Sequence, residues 1–298
     1  MIVVAGESLI DLVPQHPEDP LGPLAPRLGG GPYNTAVALG RLGARAAFCS
    51  RLSTDGFGEA LLGGLHAAGV DTSLVQRGPE PTPLAVATMA ADGSAGYGFY
   101  MDGTADRLFA LPPQLPPSVS GLALGSCSLV LEPGASAYEA LLRREAARGV
   151  LTLLDPNIRP GLVPDADAYR ARFWSRLPYV SLLKLSEEDA QWLGGTPRQW
   201  LAAGPGAVVL TRGGAGLTVY TAEGAEHSVP AEPVEVADTI GAGDTVNAAL
   251  LHRLPPRPED LPAADWPAVL RYAARAAALT CAREGAQPPT AAELAARP

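Results

Sequence analysis

Lysine is almost absent from these 298 residues: of 22 lysines and arginines together, Lys184 is the only lysine. No phosphate loop of the form Gly-x-x-x-x-Gly-Lys-Ser/Thr exists, so any phosphate chemistry must rest largely on backbone amides and arginine. Basic charge is scarce altogether. The formal net charge of −9 argues against a nucleic-acid backbone as the main partner. No apolar run is long enough for a transmembrane helix. The opening stretch Met1-Ile2-Val3-Val4-Ala5-Gly6-Glu7 lacks a basic region and meets an acid early, which speaks against a signal peptide and for the cytoplasm. Cysteine is limited to Cys49, Cys127 and Cys281. Their odd number and apolar contexts predict buried free thiols rather than disulfides or a metal site. His16, His66, His227 and His252 share no metal-ligand spacing and carry no assigned role.

What is present is an ordinary globular composition, 47% hydrophobic and 18% charged. The length suffices for one large domain or two smaller ones. Short apolar runs alternate with helical periodicity, which predicts an α/β fold on a parallel sheet. Strands are predicted at residues 2–5, 46–50, 151–155, 182–185, 207–211 and 217–220, with a further apolar run at 129–131. Helices are predicted at 34–42, 57–68, 137–148, 245–253 and 266–283. Two stretches break the rhythm. Residues 9–28 are rich in proline and acid, and residues 84–101 alternate with period 2 around Asp92-Gly93, the pattern of a β-hairpin. Such a hairpin is either a lid on the α/β body or an edge of its main sheet.

The densest functional signal is Asp238-Thr239-Ile240-Gly241-Ala242-Gly243-Asp244, where a glycine turn meets an acid at the start of a helix. Amides at such a turn and helix N-terminus form an anion site. A carboxylate beside it repels the anion unless it serves as a base for a hydroxyl attacking a bound phosphate. That is the geometry of a small-molecule kinase. Gly29-Gly30-Gly31-Pro32-Tyr33-Asn34 precedes a helix, and Asn34 either caps it or bonds a ligand's hydroxyls. Asp155-Pro156-Asn157-Ile158-Arg159 ends a strand, where open α/β sheets place ligands. Thr211-Arg212-Gly213-Gly214-Ala215-Gly216 is either a hairpin turn or a nucleotide loop. The acids of Ser186-Glu187-Glu188-Asp189 suit either a helix N-terminus or Mg²⁺ held through water.

In their joint order these motifs resemble the ribokinase-like (PfkB) carbohydrate kinases across nearly the whole chain. Gly6 to Asp11, Phe99 to Asp106 and Asp155 to Arg159 are similar to the bacterial fructokinases within that family. The resemblance implies a single domain over 1–298, a three-layer α/β/α sandwich on a mostly parallel sheet. It also implies a small β-sheet lid from about 9–28 and 84–106. It makes Asp244 the general base, with Gly241, Ala242 and Gly243 as the anion hole. Asp11, Gly30, Gly31, Asn34, Glu132, Asn157 and Arg159 fall on the sugar side, and Thr211, Gly213, Gly216 and Asp189 on the nucleotide side. ATP with Mg²⁺ is the implied cofactor. Asp238 matches a site for a monovalent cation such as K⁺, completed by the segment 277–285. Where relatives carry Asn-x-x-Glu, this chain has Ser186 and the shorter Asp189, with Glu187 or Glu188 as substitutes. The implied reaction is phosphorylation of a sugar hydroxyl, fructose first. A 2-keto-3-deoxygluconate kinase using Arg107 or Arg159 is the second reading, and a non-catalytic sugar-binding regulator the third. A homodimer through the lid, using strands such as residues 85–89, is allowed.

Overall fold

The computed structural model of the protein describes residues 1–16, 19, 21–89 and 95–296. The chain opens with strand β1 (Ile2–Ala5), then β2 (Leu9–Pro14) and β3 (Leu24–Gly29), helix α1 (Gly31–Arg41), β4 (Ala46–Ser53), α2 (Gly56–Ala67), β5 (Val75–Gly78), β6 (Leu84–Met89) and β7 (Ala95–Tyr100). It continues with β8 (Gly121–Gly125), α3 (Gly134–Ala147), β9 (Leu151–Asp155), α4 (Ala166–Arg176), β10 (Leu182–Ser186), α5 (Glu187–Leu193) and α6 (Pro197–Ala202). The last third holds β11 (Ala207–Thr211), β12 (Leu217–Thr221), β13 (Glu226–Val229), α7 (Ala242–Arg253), α8 (Trp266–Cys281) and α9 (Ala291–Ala295).

Nine strands form one sheet in the order β13-β12-β11-β10-β9-β8-β1-β4-β5. From β11 across to β5 all neighbours are parallel, and β12 and β13 add an antiparallel edge. Parallel pairing requires crossover helices, and these cover both faces. Strand alternation divides the core accordingly. Val4, Leu182 and Val209 pack with α1, α7 and α8, whereas Val3, Ala5, Leu183, Leu185 and Val208 pack with α3, α4 and α6. The result is the expected three-layer sandwich.

The second sheet settles the choice left open for the period-2 stretch. β6 and β7 pair antiparallel, with Ala85 opposite Phe99 and Ala87 opposite Tyr97. They join β2 and β3 in a separate four-stranded sheet, order β3-β2-β6-β7, not an edge of the main one. The predicted turn at Asp92-Gly93 lies outside the described residues. Ala85, read as an exposed surface for dimerisation, is buried.

Several boundaries differ from the sequence reading for physical reasons. α1 begins at Gly31 rather than Asn34, because Pro32 suits a first helical turn. α7 begins at Ala242 because Gly241 adopts the left-handed conformation that starts it. The apolar run 129–131 is no strand. The strand is the preceding β8, whose composition Gly-Leu-Ala-Leu-Gly hides it, and a short 3₁₀ turn over Ser126–Leu129 follows. α4 lies where the sequence reading has no helix, although Asp165 caps it by accepting from the amides of Asp167 and Ala168. All three cysteines are free; Cys49 and Cys127 are buried as expected, whereas Cys281, at the end of α8, is only half-buried.

Candidate active site

In an open parallel sheet, ligands bind beyond the carboxyl ends of the strands where chain direction across the sheet reverses. Here that point lies at β1, because the chain runs from it to β4 on one side and later to β8 on the other. The segments leaving β1 and β8 meet there. The Glu7 amide donates to Ser128 Oγ at 2.7 Å, and the Ser128 amide donates to Glu7 Oε2 at 3.1 Å. Burial pushes the Glu7 carboxyl above the usual range, against the pull of its bonds to Ser128.

Beside this junction lies a cavity of about 250 Å³. It gathers most of the residues singled out in the sequence: Asp11, Gly30, Gly31, Asn34, Asn157, Arg159, Gly241, Gly243 and Asp244 all line it. Ser126 and Asn157 line it too, and among the described residues they are the only non-glycines with positive φ, 59° and 40°. Backbone strain of this kind persists where surrounding structure enforces it, commonly at functional sites. Gly31 is needed for space: a Cβ there would stand 3.0 Å from Asn157 Nδ2 and 3.3 Å from Asp244 Oδ1.

Asp244 lies in the first turn of α7, 8% exposed. Asn34 neither caps α1 nor faces only the cavity: its Nδ2 donates to Asp244 Oδ2 at 2.9 Å. Burial pushes the Asp244 carboxyl up to about 7, against the Asn34 bond; neighbouring Asp155 adds to the rise and Lys184 opposes it. Asp11, approaching from the small sheet, is raised to about 6 by burial against the nearby charge of Arg159. At about 7, the Asp244 carboxyl is half ionised at neutral pH. For a reaction in which Asp244 takes the proton, kcat/KM is expected to climb with pH and level off above about 7, falling about tenfold per unit on the acid side. The pH profile at subsaturating substrate checks this, and an acid limb near pH 4 would contradict it.

Other predicted residues lie apart. Glu132 is on the outer surface at the start of α3, where its carboxylate accepts from Ser136 and pairs with Arg172 at 2.9 Å. It does not line the cavity, so its place on the sugar side is not sustained. Arg107 is also engaged elsewhere, with Asp102 and the Glu132 carbonyl. Asp189 is buried, and both its oxygens are used: Oδ1 accepts from the Ile158 amide at 2.8 Å, and Oδ2 from the Ser186 hydroxyl at 2.8 Å. The capping reading of that helix start therefore holds, and Asp189 also pins the 155–159 segment. Glu187 stands 3.5 Å from Arg212 at the same edge. No group of three or more metal-binding side chains occurs among the described residues.

Asp238 accepts from the amides of Ile240 at 3.0 Å and Gly285 at 2.8 Å, tying the turn before α7 to the loop after α8. Thr211 ends β11 at the same end of the sheet, paired with Ser186 on β10. Gly213 borders open space, whereas a side chain at Gly216 would collide with the Val229 carbonyl. The glycine at 216 is thus explained by strand packing.

The site also contains residues the sequence reading missed. Tyr97 and Phe99 reach the cavity from β7, with ring centroids 6.1 Å apart. Lys184 lines it from β10 and donates to Asp155 Oδ2 at 2.9 Å, an oxygen that also accepts from Asn247 at 2.7 Å. A signal for both existed. A charge inside the leucine-rich strand Leu-Leu-Lys-Leu-Ser must find a buried partner, and Asn247 sits one turn after Asp244 on the same helix face.

A three-layer sandwich with a polar cavity at its switch point and a small second sheet beside it is the fold of the ribokinase-like sugar kinases. A fructokinase from Xylella fastidiosa solved with bound ATP superposes with a TM-score of 0.85 at 28% identity, covering 98% of this chain and 96% of its own. A fructokinase from Vibrio cholerae O395, solved with fructose, ADP and calcium, gives 0.83 at 26% identity, covering 98% and 95%. Over residues 1–293 the sequence matches the pfkB family of carbohydrate kinases, and the chain belongs to that family. It is a sugar kinase. A fructokinase of Rhizobium leguminosarum bv. trifolii is 40% identical over 262 residues, which span 85% of this chain and 79% of the relative.

Proposed function

We propose that this kinase transfers the γ-phosphoryl group of ATP to a hydroxyl of fructose, with Asp244 as general base. The observation that carries the reading is the position of Asp244. A carboxylate buried beside the amides of a helix-opening glycine turn is adjacent to an anion site and within the sugar-sized cavity. That cavity, about 250 Å³, falls below the ~300–1,000 Å³ of drug-sized pockets, as suits a single sugar ring.

Bound ATP supplies the electrophilic phosphorus and ADP as leaving group. The chain's residues do the rest. Asn34 holds the Asp244 carboxylate, which takes the proton as the sugar oxygen forms its bond to phosphorus and the bond to ADP breaks. The amides of Gly241, Ala242 and Gly243 stabilise charge on the transferring group. Asp11, Asn34 and Arg159 meet sugar hydroxyls, and the small sheet acts as a lid over one domain spanning the chain. The open edge at Thr211 and Gly213 supports placing the nucleotide there. Mg²⁺ enters with the nucleotide's phosphates, and Asp189 at the start of α5 stays its candidate partner through water. Asp238, which joins the turn before α7 to the loop after α8, stands beside a monovalent cation such as K⁺. The reading includes the cytoplasm as the compartment and a homodimer through the small sheet, for which exposed Tyr100 supplies apolar surface.

Arg159 in the cavity favours one alternative, an acid sugar such as 2-keto-3-deoxygluconate, since a carboxylate would pair with it. A panel of sugars assayed by ATP consumption tests the choice. Fructose is expected to give the highest kcat/KM. Preference for the keto-deoxy acid transfers the site to the alternative, and binding without turnover would make the protein a regulator.

A further inference from the structure

One buried charge has no part in the chemistry above. Lys184 is 4% exposed on β10, and burying an ammonium costs several kcal/mol. A leucine would continue that strand's apolar pattern at no such cost. Asp155 offsets the penalty in part, but the pair is left incomplete on both sides. An ammonium has three N–H donors, and among the described residues the one hydrogen bond of Lys184 goes to Asp155 Oδ2. The other oxygen, Asp155 Oδ1, is buried without a hydrogen-bond partner. On its other side the ammonium borders the anion turn: a Cβ on Gly243 would stand 3.0 Å from Lys184 Nζ. The same side chain borders the cavity that Asp244, Gly241 and Gly243 line.

We propose that Lys184 is the cation of the anion site, donating to a non-bridging oxygen of the phosphoryl group in transfer, while Asp155 and Asn247 hold it in place. The proposal rests on the sugar-kinase reading of this site. Lys184 forms and breaks no covalent bond. The sugar oxygen bonds to phosphorus, the bond to ADP breaks, the hydroxyl proton goes to Asp244, and the ammonium stays protonated throughout. Its charge is secure: burial alone would lower its pKa, but Asp155, with Asp189 and Asp244 at longer range, outweighs burial and leaves it raised. A lysine on a sheet strand thus stands where loop-based kinases use a lysine of the phosphate loop.

The test uses Lys184→Met and the double variant Lys184→Met/Asp155→Asn, which removes both charges and keeps the pair's shape. Removal of one preorganised donor typically costs about 10²–10³-fold in kcat. That loss is expected in both variants, with the KM for sugar within about twofold because the contact is made in the transition state. Where the single variant fails to fold, the double variant carries the measurement. A second readout is the affinity for ADP, by calorimetry, with and without fluoroaluminate in the presence of sugar. Fluoroaluminate should tighten ADP binding to the wild type and leave the double variant's ADP affinity unchanged. A folded double variant with wild-type kcat, or with the wild-type fluoroaluminate effect, overturns the proposal and makes the pair purely structural. A wild type that consumes no ATP with any sugar defeats the kinase reading itself, which is a different result.

Discussion

Asp244→Asn is expected to lower kcat by about 10²–10⁴-fold, the usual worth of a positioned general base, while ADP affinity stays near the wild-type value. The substitution is conservative in shape, and the amide oxygen of asparagine still accepts from Asn34, so the first turn of α7 keeps its packing. Only the ability to take a proton is lost. The same change should stabilise the protein at alkaline pH. Burial raises the Asp244 carboxyl from 3.8 to about 7, so the folded state favours the neutral form. The stability this contributes is fully present below pH 3.8 and is lost as pH rises through about 7. Asparagine is neutral at every pH, so its thermal midpoint should exceed the wild type's at pH 8 and match it at pH 4. Turnover at the wild-type rate would remove Asp244 from the role of base, and a lower midpoint at pH 8 would mean that its charge is held by attractions outweighing burial.

Gly241→Ala is the second large effect, an expected loss of about 10²–10³-fold in kcat through the anion hole. Gly241 has φ 78°, a left-handed conformation that costs a residue with Cβ about 1–2 kcal/mol. The new methyl would also stand 2.7 Å from Ala286 Cβ and 3.0 Å from its Cα. Neither neighbour is the end of a flexible side chain. Relief must therefore come from the turn or from the loop after α8, which Asp238 ties to that turn through Gly285. Either displacement turns the amides of residues 241–243 away from a common point. Gly63→Ala provides the control. It lies within α2 with nothing near its hypothetical Cβ, and should stabilise the helix without touching kcat. The comparison requires kcat for both variants and a thermal midpoint showing that Gly241→Ala still folds. Unchanged kcat in a folded Gly241→Ala would show that these amides do not stabilise the transferring group.

Local chemistry made much of the architecture readable. The strands Ile2–Ala5, Leu151–Asp155 and Ala207–Thr211 are buried on both faces, so each shows as a mainly apolar run. The turn before Asp244 was legible because its function needs glycine where the chain turns left-handed. Elements whose apolar content is dilute were not readable. β8 is glycine-rich, and β5 and β13 are four-residue strands paired at or near the sheet's edges.

By itself the sequence determined the α/β class, the amide turn with its acid, and the presence of a period-2 segment, because these depend on neighbours within a few residues. Tertiary structure decided what long-range packing alone can decide. It turned Asn34 toward Asp244 across 210 positions of sequence, and it spent Asp189 on the Ile158 amide and the Ser186 cap. It also drew Glu132 to Arg172 and brought the only lysine beneath the anion turn. A carboxylate's role depends on which donors reach it first, and those donors come from other strands.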